Sequence, residues 1–203
     1  MARGLKLTRQ FYAQKDVVKI ARALIGKKLV TNFEGQLTCG IITETEAYAG
    51  ITDKASHSFG AKRTPRTEVM YGEAGRAYVY LCYGIHSLFN IITNKKETPH
   101  AVLIRSIFPI HGYDLIYMRR KIIKPIDKIC TGPGTVCQGL GIQIKHCGID
   151  LEGDEIWLEE SELNPTNDQL LTRPRIGVDY AGEDTLLPYR FTLKKEFLST
   201  FLQ

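Results

Sequence analysis

The chain lacks any apolar run approaching the roughly eighteen residues that a membrane-spanning helix requires, so no helical span is expected. It also lacks a Cys-x-x-Cys pair, and its cysteines number five, an odd count. Reduced thiols buried as small hydrophobes are therefore expected. A zinc set drawn from Cys130, Cys137, His146 and Cys147 has spacings that fit no common ligand pattern. No internal repeat, low-complexity tract or linker interrupts the chain, so residues 1–203 are expected to form one domain. Residues 1–6 start basic but carry neither an apolar stretch nor a small-residue cleavage site. A secretory signal is not expected, and a cytoplasmic protein is, associated with the nucleoid in a prokaryote. Charge of one sign is in small excess only: the net charge is +5. That alone raises the odds of nucleic-acid binding only slightly. Placement says more. Lys62, Arg63 and Arg66 cluster in one proline-containing segment, and Arg119, Arg120, Lys121 and Lys124 form a second run that reads as a solvated helix end.

What is present is enough for a sizeable core and a clear pattern of elements. Asp16 is a plausible N-cap for a helix in which Val17, Ile20, Ala21 and Leu24 recur at helical spacing, with Gly26 to close it. Segments 27–31 and 36–48 read as strands joined by a hairpin turn at 32–35. If the second strand stays regular, Thr38, Gly40, Ile42, Glu44, Glu46 and Tyr48 share a face. Residues 50–73 are rich in Gly, Ser, Thr and charge and predict a long excursion with little regular structure. Strands are expected at 76–83, 87–93, 101–107, 155–158 and 190–193, with a bend at 84–86. Helices are expected at 113–123 and from Gly132-Pro133 towards Leu140. Short turns between successive strands favour antiparallel pairing. The expectation is an α+β domain around a curved, mainly antiparallel sheet flanked by helices.

Two stretches concentrate chemistry. Thr43–Tyr48 is followed by His57, and Tyr78–Gly84 is followed by Asn90. They set a carboxylate among tyrosines, a histidine and an amide. Such a group can hold a flat ring and activate water beside it, as cutting a base from its sugar requires. Glu46 is the catalytic candidate, because a carboxylate wedged among aromatics loses solvation and becomes more basic. An isolated strand glutamate is more often a surface partner of lysine. Glu44 shares the face of Glu46, and a carboxylate pair of this kind also suits a sugar hydrolase. Tyr48, Tyr80 and His57 can sandwich a base, although core tyrosines with satisfied hydroxyls are commoner. Tyr83 falls at a hairpin tip, where a large side chain suits a wedge between base pairs. Asn90 is either structural or reads a polar edge. Arg105 suits a phosphate or a carboxylate equally.

Taken in order, these pieces resemble the alkyladenine, or 3-methyladenine, DNA glycosylases. The matching strings are Glu44-Thr45-Glu46-Ala47-Tyr48, Ala55-Ser56-His57-Ser58, Thr64-Pro65-Arg66, Tyr78-Val79-Tyr80 with Tyr83-Gly84, Asn90, and Leu103-Ile104-Arg105. Gly132-Pro133 with Cys137-Gln138 and Arg175-Ile176-Gly177-Val178 are also similar. The resemblance implies a protruding, DNA-inserting hairpin on the curved sheet. It implies hydrolytic removal of alkylated or deaminated purines from double-stranded DNA by a monomer, with no metal or organic cofactor. It places the water-activating carboxylate at Glu46 and the base pocket at Tyr48, His57, Tyr80 and Asn90, Asn90 refusing the exocyclic amine of guanine. It places the gap-filling side chain at Tyr83, and Arg105 near the flipped nucleotide. Lys62, Arg63, Arg66 and Arg105 are the expected backbone contacts. Thr67 departs from the asparagine expected after Thr64-Pro65-Arg66, and the segment 85–89 is one variant of several. Both leave the substrate range open. An inert DNA- or RNA-binding module is argued against by Glu46 and its neighbours. A base deaminase needs His-x-Glu and Pro-Cys-x-x-Cys strings, and neither occurs.

Overall fold

The computed structural model describes residues 4–201. A single helical turn, α1 (Arg9–Tyr12), precedes α2 (Val17–Leu24). The Asp16 carboxylate caps α2 by accepting from Val18 N at 3.0 Å and Lys19 N at 3.1 Å. Val17, Ile20, Ala21 and Leu24 are its buried stripe, as the spacing predicts. Strands β1 (Lys28–Phe33) and β2 (Gln36–Tyr48) form a hairpin turning on Glu34 and Gly35. Both of those residues have positive φ, the geometry of a two-residue hairpin loop. The turn is thus tighter than 32–35.

After β2 the chain makes its long excursion. It is more ordered than its composition predicts, holding three short 3₁₀ turns at Gly50–Thr52, Phe59–Ala61 and Glu68–Tyr71. Strands β3 (Ala77–Cys82) and β4 (His86–Thr93) follow, and the bend between them lies at 83–85. β5 (His100–His111) is longer than expected. Helix α3 (Tyr113–Arg120) stops three residues earlier than 123, because Lys121 turns left-handed at φ 51°. Helix α4 (Pro133–Leu140) begins with proline at its first turn and ends on left-handed Gly141. β6 (Ile156–Glu159), β7 (Leu170–Arg173), β8 (Arg190–Leu193) and α5 (Lys195–Phe201) complete the fold. α1, β7 and α5 are elements the periodicity does not reveal; each is short or terminal.

Among the described residues the eight strands make one curled antiparallel sheet. Its order is β3-β4-β5-β2-β1-β6, with β8 on β2 and β7 on β8. The α+β expectation holds. β2 is the organising strand. Its first half pairs with β1, and over Glu44–Glu46 the same edge is taken by β8 while β5 covers the other. Alternate residues of the sheet go to opposite faces. Ala47, Ala77, Val79, Phe89, Ile91, Val102 and Ile104 fall on the face that packs against α2 and α4 and belong to the main core. The other face carries the site. No helix among the described residues is long and apolar enough to cross a membrane.

Candidate active site

Register places the site residues in one row across the sheet. Tyr78 lies opposite Asn90, Asn90 opposite Leu103, Leu103 opposite Glu46, and Glu46 opposite Arg190. Tyr48 and Tyr80 stand two residues from members of this row, so they share its face. Above them the loops 49–76 and 174–180 fold over and enclose a cleft of about 200 Å³. Tyr48, His57, Tyr80, Asn90, Tyr83 and Arg105, all singled out from the sequence, line it together.

Glu46 sits behind this cleft with none of its side chain exposed. Its Oε2 accepts from Tyr48 Oη at 2.9 Å and from Arg105 Nη1 at 3.3 Å. Its Oε1 accepts from the Ile176 amide at 2.8 Å. Burial raises its pKa, against the opposing pull of Arg105, the Ile176 amide and Tyr48. The product is a carboxylate more basic than one in water, yet held charged by three donors. That is a state suited to taking a proton from water.

Arg105 reaches Glu46 because of two compensating irregularities. Thr43 is an extra residue in β2 against β5, and Arg105 is an extra residue in β5 against β2. The bulge at Arg105 re-aims its side chain between two carboxylates, with Nε 3.5 Å from Glu44 and Nη1 3.3 Å from Glu46. Arg190 Nη1 donates to the same Glu44 oxygen, Oε1, at 2.9 Å. Four alternating charges thus run Arg190–Glu44–Arg105–Glu46. Of the two partners open to Arg105 in sequence, the structure shows the carboxylate.

The aromatic wall is built on β3. Tyr78 and Tyr80 have ring centroids 5.4 Å apart, and His57 meets Tyr80 edge-on at 4.6 Å. His57 Nε2 lies 3.1 Å from Arg66 Nη2, and Nδ1 lies 2.8 Å from Tyr78 Oη. A guanidinium can only donate, and Arg66 Nη2 lies nearer Nε2 than Nδ1, which is 3.5 Å away, so the geometry assigns the acceptor to Nε2 and the proton to Nδ1. Burial first, and then Arg66 and Lys62, lower the His57 pKa to about 4. His57 is neutral at pH 7. A depressed histidine pKa contributes stability that is present above the ordinary value of 6.5 and is lost as pH falls through about 4. Its contribution is at most about 3 kcal/mol. His57→Gln should flatten this acid limb in a plot of unfolding free energy against pH; an unchanged limb would assign it to other groups.

The loop cations divide. Arg66 stacks on Tyr80, Cζ 4.8 Å from the ring centroid, and so backs the cleft wall without lining the cleft. Arg63 is claimed by Glu68 and Glu97, each at 2.7 Å, so its charge is locally neutralised, contrary to a free phosphate-contacting role in this state. Lys62 is exposed. In the second basic run, Arg119 donates to Gln36 and to the Gly139 carbonyl, and Arg120 to the Ile129 carbonyl. These two brace α4, so the run is not simply a solvated end. Thr67 is buried and closes a turn with Thr64 and the Lys62 carbonyl. Cys39, Cys130 and Cys137 are buried as expected, but Cys147 is exposed and Cys82 is half-buried at the cleft. Among the described residues no three His, Cys, Asp or Glu side chains gather as a metal site needs.

Tyr83 stands at the tip of the β3–β4 hairpin, 91% exposed. Tyr83 and Gly84 both have positive φ, and Ile85 N closes the turn on the Cys82 carbonyl at 3.2 Å. Sequence reasoning gave no role to Tyr78, Ile176, Arg175 or Asp53. Tyr78 and the string Arg175–Val178 stood in the quoted motifs, and that was their only signal. Asp53 had none.

A buried, polarised carboxylate thus lies behind an aromatic cleft, with an exposed tyrosine on a projecting hairpin beside it. Comparison with known proteins gives the family. Residues 10–197 match the model of the Methylpurine-DNA glycosylase (MPG) family. A protein named "Putative 3-methyladenine DNA glycosylase" from Chlamydia abortus is 44% identical over 188 residues, covering 92% of this chain and 97% of that one. Proteins of the same name from Desulfitobacterium hafniense and Bacillus cereus are each 42% identical, over 93% and 91% of this chain and 95% and 93% of their own lengths. The chain belongs to the methylpurine-DNA glycosylase family, whose members are hydrolases of N-glycosyl bonds.

Proposed function

We propose that the chain flips alkylated or deaminated purines out of duplex DNA and hydrolyses their N-glycosidic bond without cutting the strand. The substrates are of the 3-methyladenine, 7-methylguanine, hypoxanthine and ethenoadenine type. The observation that carries this reading is Glu46: a fully buried carboxylate with three donors, adjoining a cleft walled by Tyr48, Tyr80 and His57. Tyr83 enters the duplex, and the nucleotide rotates into the cleft at a cost of a few kcal/mol, less for a poorly paired lesion. As the C1′–N bond breaks, its electron pair leaves with the base and positive charge grows on the sugar. Glu46 stabilises that charge and takes the proton of the water whose oxygen bonds to C1′. Duplexes carrying hypoxanthine or 3-methyladenine, incubated with the protein and treated with alkali, should break at the lesion. Breaks without alkali would mean a lyase, and intact strands after alkali would sink the reading.

Two further outcomes are expected. Tyr83→Ala should leave stability nearly unchanged, since so exposed a tip residue buries little surface. It should weaken flipping on duplex by roughly 1–3 kcal/mol of lost stacking, and less on single strands, as read by a fluorescent base analogue. Equal losses on both substrates would mean that Tyr83 acts on the base within the cleft it borders, not as a wedge. Asn90 lines the cleft with Nδ2 held by the Tyr78 carbonyl at 3.2 Å, which fixes the orientation of its amide there. Guanine differs from hypoxanthine by one amine, and unmatched buried polar groups cost about 1–3 kcal/mol. Asn90→Ser should therefore gain excision of guanine mispaired with thymine. Good hypoxanthine excision with no such gain removes the gatekeeping role.

A further inference from the structure

Arg175 and Asp53 form the most deeply buried ion pair of the site region. Arg175 Nη1 meets Asp53 Oδ2 at 2.5 Å and Nη2 meets Oδ1 at 2.8 Å, with side chains 0% and 1% exposed. Neither contacts the cleft: they are absent from its lining. Replacing such a pair by apolar groups is often neutral for stability, so a pair kept at this depth asks for another reason. Stability alone is a poor one here, because Arg175 Nε is also buried without a hydrogen-bond partner.

The contacts of the pair converge on Glu46. Arg175 Nη1 also donates to the Ala47 carbonyl at 3.0 Å, fixing the strand residue next to Glu46. Its guanidinium lies 4.9 Å from the centroid of the Tyr48 ring, whose hydroxyl donates to Glu46. Its immediate neighbour is Ile176, whose amide donates to the other Glu46 oxygen. Nη2 reaches on to the Asp184 carbonyl at 3.2 Å. Asp53 meanwhile accepts from the Ala49 and Ala55 amides, shaping the turn that leads to His57. One pair therefore fastens the 174–180 loop, the 49–57 loop and the end of β2 to one another.

We propose that the Arg175–Asp53 pair is the positioning element of this site, holding the two neutral donors, the Ile176 amide and the Tyr48 hydroxyl, on Glu46. The inference rests on the glycosylase reading above and adds to it residues that touch no substrate. The charged and titratable groups around Glu46 are Glu44 and Tyr48 from β2, Arg105 from β5, Arg190 from β8 through Glu44, and Arg175 with Asp53 from the two loops. Hydrogen bonds to a carboxylate favour its charged form. Releasing two of three donors leaves burial less opposed, so Glu46 should take up its proton at higher pH.

The test uses the full chain with Arg175→Met combined with Asp53→Asn, which removes the pair without leaving a lone buried charge. Asparagine keeps a side-chain oxygen for one of the two loop amides, Ala49 N on Oδ2 or Ala55 N on Oδ1. Single-turnover excision of hypoxanthine should show its acid limb moved up by about one pH unit, with about a tenfold loss on that limb. Affinity for lesion duplex should change by less than about threefold, because the stacking and phosphate contacts remain. Arg175→Lys, which keeps the charge but not the forked geometry, should move the limb in the same direction by less, and serves if the double variant does not fold. Hydrogen exchange of the Ile176 amide gives an arm independent of activity: protection in the parent chain should be lost in either variant. A folded variant with the acid limb of the parent, or with Ile176 still protected, overturns the proposal. Excision absent from the parent chain itself counts against the glycosylase reading, while the exchange result still decides the positioning role.

Discussion

Glu46→Gln is expected to slow single-turnover excision by about 10²–10⁴-fold, the range typical of a lost general acid or base. The effect has two sources. The amide cannot take a proton from water, and it offers no charge to the sugar as positive character develops there. Local geometry adds to both. All three groups facing Glu46 are donors, so one of them must meet the new amide NH₂. Binding to lesion duplex should persist, because the substitution leaves the Tyr48, Tyr80 and Tyr83 rings in place. Since burial holds the carboxyl above its usual range, excision by the parent chain should fall as pH drops through that raised value. Glu44→Gln is the comparison. Glu44 is held by Arg190 and Arg105 and meets neither the Tyr48 hydroxyl nor the Ile176 amide, so its replacement should cost far less. Equal losses at both carboxylates would favour the two-carboxylate chemistry of sugar hydrolases. Near-parental excision by Glu46→Gln would remove it from its role.

Local chemistry made part of this architecture readable. Asp16 followed by an apolar helical stripe fixes α2, and the strand read at 36–48 after a hairpin turn signal matches β2 to the residue. Period-two logic on β2 and β3 also puts Glu44, Glu46 and Tyr48, and separately Tyr78 and Tyr80, on shared faces. Other features depend on distant partners and leave no local trace. The bulges at Thr43 and Arg105 cancel each other in register, so neither alters the apolar pattern. Arg175 meets Asp53 across 122 residues, and Arg63 meets Glu97 across 34. Residues 50–73 looked irregular because their order comes from side chains bonding to nearby backbone. The Asp53 carboxylate accepts from Ala49 and Ala55, and Thr67 donates to the Lys62 carbonyl. Such bonds do not repeat, so periodicity misses them.

Arg105→Met should separate the two roles that the sequence left open for this arginine. If its work is what the structure shows, the variant strands Glu46 in the interior. Glu44 keeps Arg190 at 2.9 Å, but Glu46 keeps only neutral donors. Breaking a buried pair in this way costs about 3–5 kcal/mol at neutral pH. The pH dependence follows from the sign of the shift. Arg105 is the largest influence opposing the burial of Glu46, so its loss raises the carboxyl pKa further. Above that new value the variant carries an uncompensated buried charge; below it, Glu46 is protonated and the cost disappears. The difference in unfolding free energy between parent and variant should therefore shrink on acidification. A phosphate-contacting arginine behaves otherwise. Its removal would leave stability unmoved and lower the slope of log K against log salt for duplex binding by about one. Denaturant unfolding at several pH values, beside a salt titration of duplex affinity, distinguishes the two. A pH-independent loss below about 1 kcal/mol, together with the reduced salt slope, would transfer Arg105 from the carboxylate network to the DNA backbone.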